Sequence, residues 1–236
     1  MNTYSAITKE LKKCIKKDKA EIFPKFFKTG KGEYGEGDIF WGISVPDVRS
    51  IAKRYYKNIS LDEVKNLVHD SVHEVRLLGY IILTYQFEKA DLENKECIVN
   101  FYLENIEGVN NWDLVDLSSY NILGEYLLIN PQMKGVLYKY ADSNNLWKQR
   151  ISLVSTYSFI RKNQFEDTLK ISSILLNHKH DLIHKAIGWM LREVGKRDIN
   201  VLREYLNTNI KDMPRTTLRY AIERMDIEEK KRYMSM

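Results

Sequence analysis

Cysteine is scarce in this chain: among 236 residues only Cys14 and Cys97 occur. Two cysteines so far apart form neither a disulfide framework nor a four-cysteine zinc site, and they favour a reducing compartment. No apolar run approaches the length of a membrane span, and the opening MNTYSAITKELKKC lacks the apolar block of a secretory signal. We therefore expect a cytoplasmic protein that does not enter a membrane.

Proline and glycine are also few, with 4 and 11 residues, and five of the glycines lie between Gly30 and Gly42. The stretch GKGEYG fits the dinucleotide-binding pattern G-x-G-x-x-G, but that pattern needs a preceding strand and a following helix. IFPKFFKT before it reads as the end of a helix, and Glu33, Glu36 and Asp38 oppose a pyrophosphate. The segment is predicted to be a loop whose glycines supply positive φ angles.

The charge balance is mildly basic. Lys and Arg number 37 against 32 Asp and Glu, which gives a net charge of +5 and a pI near 8.9. A charge of this size permits a polyanionic partner, although it also serves simple solubility.

Apolar residues recur at three- and four-residue steps along most of the chain. In SVHEVRLLGYIILTY, for example, a single stripe contains Val72, Val75, Leu78, Ile82 and Tyr85. No alternating strand pattern competes with this periodicity, so the sequence predicts an all-α protein.

Four helical segments can be superposed: SVHEVRLLGYIIL, NNWDLVDLSSYNIL, NLWKQRISLVSTYSF and DLIHKAIGWMLREV. The superposition puts Arg76, Asp116, Arg150 and Lys185 at one register, with spacings of 40, 34 and 35 residues. Partner helices are predicted in LDEVKNLVH, KECIVNFYLEN, PQMKGVLYKYA and FEDTLKISSILL. Such periods are typical of HEAT-like two-helix repeats, so residues 1–236 are predicted to form one repeat domain, curved into a superhelix.

A shared register in such repeats points into the same concave channel. Arg76, Arg150 and Lys185 are therefore candidates to line that channel. The alternative is that each pairs with an acid of a neighbouring repeat and only supports the stacking.

Aromatic residues share helical faces with these charges. The sets are Trp112 with Asp116, Trp147 with Arg150, and Lys185 with Trp189 and Arg192. Any single Trp is as readily explained as core. Indole faces beside a carboxylate nevertheless suit one task well, which is to hold a cation and stabilise an oxocarbenium-like transition state.

Other candidates carry weaker signals. The pairs His69 with His73 and His180 with His184 have the spacing of metal ligands, but neither pair has the Glu of H-E-x-x-H or an evident third ligand. No nucleophile elbow is present, and the basic first helix reads as a solvated face. We expect no metal and no small-molecule cofactor.

Three ordered segments, NNWDLVD, LWKQR and IHKAIGWMLREVGK, resemble the signature segments of the AlkD-type DNA alkylation-repair glycosylases, and GEYGEGDIFWGISVPDVR resembles their amino-terminal segment. The resemblance covers most of the chain. It implies a right-handed α-α superhelix of HEAT-like repeats that binds duplex DNA containing alkylated bases. It also implies hydrolysis of the N-glycosidic bond of cationic N3- and N7-alkylpurines by a monomer.

The resemblance further implies roles for individual residues. Asp116 is similar to the catalytic carboxylate, Trp112 and Trp189 to the aromatic walls around the lesion sugar, and Arg150 to the phosphate-binding arginine. Further phosphate contacts are expected from Lys185, Arg192, Lys148 and Arg161.

One position departs from the family pattern. Many members carry a Tyr in the helix before the glycine loop, where this chain has Phe26 and Phe27. Two alternatives to the glycosylase stay open at this point: a DNA-binding member without activity, and a HEAT-like scaffold for protein interactions.

Overall fold

The structure, a computed structural model, describes residues 3–236, and the regular elements within that range are sixteen α-helices and a few short 3-10 and π turns. The all-α prediction is confirmed. The helices group into two compact units, the first ending at Ser118 and the second beginning at Ser119. The interpretation of residues 1–236 as one continuous repeat domain stays a prediction.

Within residues 3–118 the first unit contains seven helices. They are α1 (Thr3–Lys12), α2 (Lys17–Phe26), α3 (Val45–Tyr55), α4 (Leu61–Val68), α5 (His73–Lys89), α6 (Leu92–Glu104) and α7 (Trp112–Ser118). At its centre lies α5, which packs against α3, α4, α6 and α7.

Burial on α5 differs from the sequence prediction. The stripe of Val75, Leu78 and Ile82 is fully buried as expected, but the opposite face is buried too, as Tyr80 and Ile81 show. The predicted helix is confirmed, and its burial extends beyond the one predicted stripe. Because four helices surround α5, its polar residues must find partners inside the protein.

The predicted pairing of α4 with α5 is confirmed by their contact. A capping box starts α4: the Ser60 hydroxyl accepts from the Glu63 backbone N–H, and the Glu63 carboxylate accepts from the Ser60 N–H. This arrangement satisfies two donors that the first turn of a helix leaves free.

Residues 30–42 form a loop, as predicted. Gly32, Gly37 and Gly42 have φ angles of +78°, +86° and +77°. At Gly42 a Cβ atom would also lie 2.3 Å from the carbonyl oxygen of Lys16, so only glycine fits there. The dinucleotide interpretation has no support, because α2 and not a strand precedes the glycines.

The second unit contains nine helices in the described residues. They are α8 (Glu125–Ile129), α9 (Gly135–Ala141), α10 (Leu146–Ser155), α11 (Tyr157–Ile160), α12 (Glu166–Ile174), α13 (Asp181–Arg197), α14 (Ile199–Asn209), α15 (Arg215–Ala221) and α16 (Ile227–Ser235). A π turn at Tyr120–Gly124 precedes α8. The predicted pairs α9 with α10 and α12 with α13 are in contact.

Helix α13 is the centre of the second unit and packs against α10, α14 and α15. Gly188 allows the close approach of α15, because a Cβ atom there would lie 2.4 Å from Tyr220 Cβ and 2.6 Å from the carbonyl oxygen of Thr217. In residues 3–236 we find no helix that is both long enough and apolar enough to cross a membrane.

Gly188→Ala is expected to lower the free energy of unfolding by about 1–3 kcal/mol, because the added methyl group forces α13 and α15 apart. Urea denaturation measures the change. Gly135→Ala is the matched control: a Cβ atom at Gly135 meets no atom within 4 Å, so this change should leave stability equal or slightly higher. Equal effects of the two substitutions would contradict the close packing.

Candidate functional site

The first part of the candidate site is helix α7. Trp112 and Asp116 are both half-buried and lie four residues apart on one helical face. Leu114, Val115 and Ser118 are buried and fix the opposite face. The Ser118 hydroxyl lies 3.0 Å from that of Tyr102, which connects α7 to α6. The predicted shared face of Trp112 and Asp116 is therefore present in the first unit.

The first turn of α7 is held by side chains of its own sequence. The Asn111 side-chain oxygen accepts from the Trp112 backbone N–H at 2.8 Å, and Asp113 Oδ1 accepts from the Leu114 N–H at 2.9 Å. These bonds satisfy donors that no helical carbonyl reaches. The local motif NNWD thus starts the helix and orients Trp112.

Asp38, from the glycine loop, is the most heavily bonded carboxylate next to α7. Its side chain is 5 % exposed. Arg76 Nη2 donates to it at 2.5 Å and His73 Nδ1 at 3.2 Å. Asn110 and Asn111 also donate through their amides, at 3.3 and 3.5 Å. One buried charge thereby joins the loop, helix α5 and the residues that lead into α7.

His73 lies between two carboxylates. Its Nδ1 donates to Asp38, and its Nε2 donates to Asp113 Oδ2 at 2.8 Å. Burial lowers the pKa of His73, but the charge of Asp113 and the hydrogen bonds to both carboxylates outweigh it and raise the pKa to about 9. For Asp38, burial disfavours the charged form and so raises the pKa. The hydrogen bond from His73 and the charge of Arg76 outweigh burial and hold the pKa of Asp38 below its usual value.

Glu74 fixes the end of the same loop. Its buried carboxylate accepts three consecutive backbone N–H groups, those of Trp41 at 3.1 Å, Gly42 at 2.7 Å and Ile43 at 3.0 Å. Three donors are enough to compensate a buried carboxylate. The adjacent α5 residues His73 and Glu74 therefore bind the loop at two places, the Asp38 carboxylate and the backbone of residues 41–43.

An aromatic stack covers this network. Phe40 stacks on His73 with ring centroids 4.5 Å apart, and Phe27 stacks on Phe40 at 4.7 Å. Phe27 also stacks on Trp112 at 5.5 Å, and Phe26 meets Trp112 edge-on at 5.9 Å. Phe26 is 58 % exposed, so the stack ends at the protein surface beside Trp112.

Arg76 does not line an open surface. It is 5 % exposed, binds Asp38 and Asn110, and donates through Nη1 to the Asp70 carbonyl at 2.8 Å. This residue does pair with an acid, as the alternative interpretation proposed, but its partner Asp38 lies in the glycine-rich loop. A guanidinium this deeply buried requires such partners.

In the second unit, Arg150 lies on α10 and is 5 % exposed. Asn145 begins this helix by accepting the Trp147 and Lys148 N–H groups at 2.9 and 3.0 Å. Arg150 Nη1 donates to the carbonyl of Leu182 in the first turn of α13. The predicted phosphate-binding role of Arg150 stays a prediction, and the structure holds this side chain against α13.

His180 begins α13 by accepting the Leu182 N–H on its Nδ1 at 3.1 Å. Burial lowers the pKa of His180, and the neighbouring His178 lowers it further. A neutral ring can accept this bond, whereas an imidazolium cannot. Arg150 and His180 therefore both hold the residue Leu182, one through its oxygen and the other through its nitrogen.

Trp189 is half-buried on α13, and its ring lies 6.0 Å from that of Tyr157. Tyr157 in turn meets Tyr120 edge-on at 5.1 Å. Trp189 is thus part of an aromatic group at the surface of the second unit, and the expectation that it is core alone is not met.

The remaining predicted cations of the second unit each have an acidic neighbour or are partly covered. Lys185 pairs with Asp181 at 2.7 Å, Arg161 with Glu125 at 3.6 Å, and Arg192 with Glu223. Lys185 and Arg192 are half-buried on α13 in the same face as Trp189, Lys148 is half-buried on α10, and Arg161 is exposed.

The histidine pairs have other partners. His69 Nε2 lies 2.7 Å from the Asn105 side-chain oxygen, and His184 Nε2 contacts the carbonyl of His178. Among residues 3–236, no three His, Cys, Asp or Glu side chains are arranged to hold a metal ion.

The sequence alone does not reveal the roles of Asp38, His73 and Asp113. Its patterns mark Asp38 only as a charge that opposes a phosphate and His73 only as half of a metal pair. Asp113 lies inside the NNWDLVD segment, but its partner His73 is 40 residues away in sequence, so no local pattern reveals the contact.

The pKa of His73 predicts a pH dependence of stability. Because the folded-state value of about 9 lies above the unfolded value of about 6.5, the stabilisation is complete below pH 6.5 and is lost as the pH rises through 9. The free energy of unfolding should fall by up to about 3 kcal/mol over this range, and Asp113→Asn should reduce the fall. Urea titrations between pH 6 and 10 measure it. A flat profile in the wild type would contradict a charged His73.

The family model of the DNA alkylation repair enzyme matches residues 7–225. A solved structure described as "Predicted DNA alkylation repair enzyme from Enterococcus faecalis" superposes with a TM-score of 0.71 and 15% sequence identity, over 90% of this chain and 97% of that chain, which shows a common fold. No match was found among curated proteins. Since the family model spans nearly the whole chain, the protein belongs to the DNA alkylation repair enzyme family.

Proposed function

We propose that the protein is a DNA glycosylase that hydrolyses the N-glycosidic bond of cationic N3- and N7-alkylated purines in duplex DNA. The observation that carries the proposal is the arrangement on α7, where a half-buried carboxylate and a half-buried indole share one face. Membership of a DNA alkylation repair family supports the substrate class.

The chemistry fits these two side chains. Alkylation at N3 or N7 gives the purine a positive charge, so it leaves as a neutral base when the bond electrons move onto it, without a strong general acid. The sugar becomes oxocarbenium-like and is captured by water. Asp116 stabilises that cation and guides the water, which gives up a proton to this carboxylate as its oxygen bonds to the sugar carbon, while the face of Trp112 stabilises positive charge by about 0.5–2 kcal/mol.

The second unit contributes its own surface to the proposal. Trp189, Lys185 and Arg192 lie on one face of α13, and Lys148 is half-buried on α10. Indole and ammonium groups together suit a deoxyribose-phosphate backbone. We propose that Trp189 is a second aromatic wall, that Lys185, Arg192, Lys148 and Arg161 bind phosphates, and that the protein acts as a monomer.

We propose that Arg150 also binds DNA. Its burial restricts the orientation in which the guanidinium can meet a phosphate. With one guanidinium nitrogen bonded to the Leu182 carbonyl, the side chain has a fixed orientation. A fixed arginine loses little conformational freedom when it meets a phosphate. The guanidinium of Arg150 is therefore proposed to meet a phosphate of the DNA backbone in this fixed orientation.

The decisive reaction is release of free 7-methylguanine from a duplex, measured under single-turnover conditions. Wild-type protein should release the base, and Asp116→Asn should lower the rate by about 10²-fold or more, because the amide cannot stabilise a sugar cation. Asp142→Asn is the control, since Asp142 is exposed after α9. Release at the wild-type rate by Asp116→Asn would remove the carboxylate from the mechanism. DNA binding without release by the wild type would favour a non-catalytic member of the family.

Arg150→Ala should weaken DNA binding and reduce the slope of log K against log salt by about one unit, as expected for the loss of one phosphate contact. Fluorescence anisotropy at several salt concentrations gives the slope. Arg224→Ala serves as the control, since Arg224 is exposed in the same unit. A lower melting temperature with an unchanged slope would restrict Arg150 to its contact with Leu182.

A further inference from the structure

We infer that His73, bonded to Asp38 and Asp113, is a positioning residue: its imidazolium form holds the first turn of α7 and thereby places Trp112 and Asp116 for the reaction. The inference rests on the proposed function for its catalytic meaning, but the positioning itself can be measured without activity.

The hydrogen bonds alone define the protonation state. Both ring nitrogens of His73 face carboxylate oxygens, at 3.2 Å for Asp38 and 2.8 Å for Asp113. An ionised carboxylate only accepts, so each nitrogen must carry a proton for both bonds to exist. Removal of one proton turns one bond into a contact between two acceptors. Neutral His73 can therefore hold Asp38 or Asp113, but not both.

The contact between His73 and Asp113 affects the face that carries Trp112 and Asp116, because Asp113 lies on the same helix, α7. Asp113 binds His73 with one oxygen and the Leu114 N–H with the other, at 2.8 and 2.9 Å. It is flanked by Trp112, and Asp116 lies three residues further along the helix. A shift of this first turn necessarily moves the Trp112 indole.

A second connection runs through the aromatic stack. Phe40 stacks on the His73 ring, Phe27 on Phe40, and Trp112 on Phe27, with centroid separations of 4.5, 4.7 and 5.5 Å. Packed rings transmit displacement because interiors are close to crystal density. Trp112 is therefore in contact with the His73 network from both its backbone and its ring.

The other charged groups around His73 have partners of their own. Arg76 binds Asp38, while Glu74 faces the loop N–H groups. Asp70 accepts from the Val72 N–H and from Tyr4, whose pKa this bond raises to about 12. The charge of Asp113 and the hydrogen bonds to both carboxylates outweigh the effect of burial and put the His73 pKa at about 9, so His73 changes charge at mildly alkaline pH.

The first experiment follows Trp112 directly in the free protein. With 5-fluorotryptophan at the four Trp positions, the Trp112 signal is assigned by comparison with Trp112→Phe. In the wild type this ¹⁹F signal should shift with a midpoint near pH 9, together with the His73 imidazole ¹⁵N signals. In Asp113→Asn the coupled shift should be absent. If His73 titrates while the Trp112 signal stays constant from pH 7 to 10, the inference is wrong.

The second experiment measures catalysis. At pH 7 and saturating protein, Asp113→Asn should release 7-methylguanine about 10-fold more slowly, because displaced groups lose alignment, while the DNA dissociation constant changes less than about twofold. Asp113→Glu, which retains the charge, should recover part of the rate. Asp62→Asn is the matched control, since Asp62 is also in the first turn of a helix, α4, and is exposed.

The outcomes separate the two proposals. If the wild type releases base and Asp113→Asn does so at the same rate, with no pH-dependent shift of the Trp112 signal, the positioning role fails and the glycosylase stands. If the wild type releases no base but the Trp112 signal follows His73, the glycosylase fails and the positioning role stands. The wild-type titration needs no substitution in the network, so it decides the question even where Asp113→Asn does not fold.

Discussion

The buried carboxylate of Asp38 is the constraint on which the first unit depends. A charge at 5 % exposure is tolerated only when several donors compensate it, and here an arginine, a histidine and two amides do so. Those donors come from α5 and from the residues before α7. The glycine-rich loop is therefore held against the two helices by an electrostatic requirement, and its glycines allow the backbone to reach that place.

The balance of buried charges explains why α5 is charged at its amino-terminal end and mostly apolar after it. Asp38 and Asp113 carry two negative charges, and His73 and Arg76 carry two positive ones within the same buried group. Glu74 is compensated separately by three backbone donors. Beyond this first turn and a half α5 is mostly apolar and becomes the core of the unit, with Tyr80 and Gln86 donating to backbone carbonyls of neighbouring segments. The same helix thus serves both stability and the arrangement of the candidate site.

The sequence predicts the environment of some residues and not of others. Helical periodicity finds α5, α10 and α13, and four-residue spacing puts Trp112 beside Asp116, because both depend on neighbours within a helix. The common register of Arg76 and Arg150 does not predict their environment. One binds a loop carboxylate and the other a helix carbonyl, and each partner is more than 30 residues away. Tertiary contacts of this kind leave no local pattern, so Asp38 and His73 could be recognised only in the folded protein.

Two carboxylates lie three residues apart on α7, and the positive charge of His73 reduces the repulsion between them. Asp113 and Asp116 lie on adjacent parts of one short helix, and like charges at this spacing repel. A cation bonded to Asp113 offsets that repulsion and holds Asp113 in the first turn of the helix. The half-buried Asp116, beside the Trp112 indole, is then the carboxylate proposed to meet a cationic lesion.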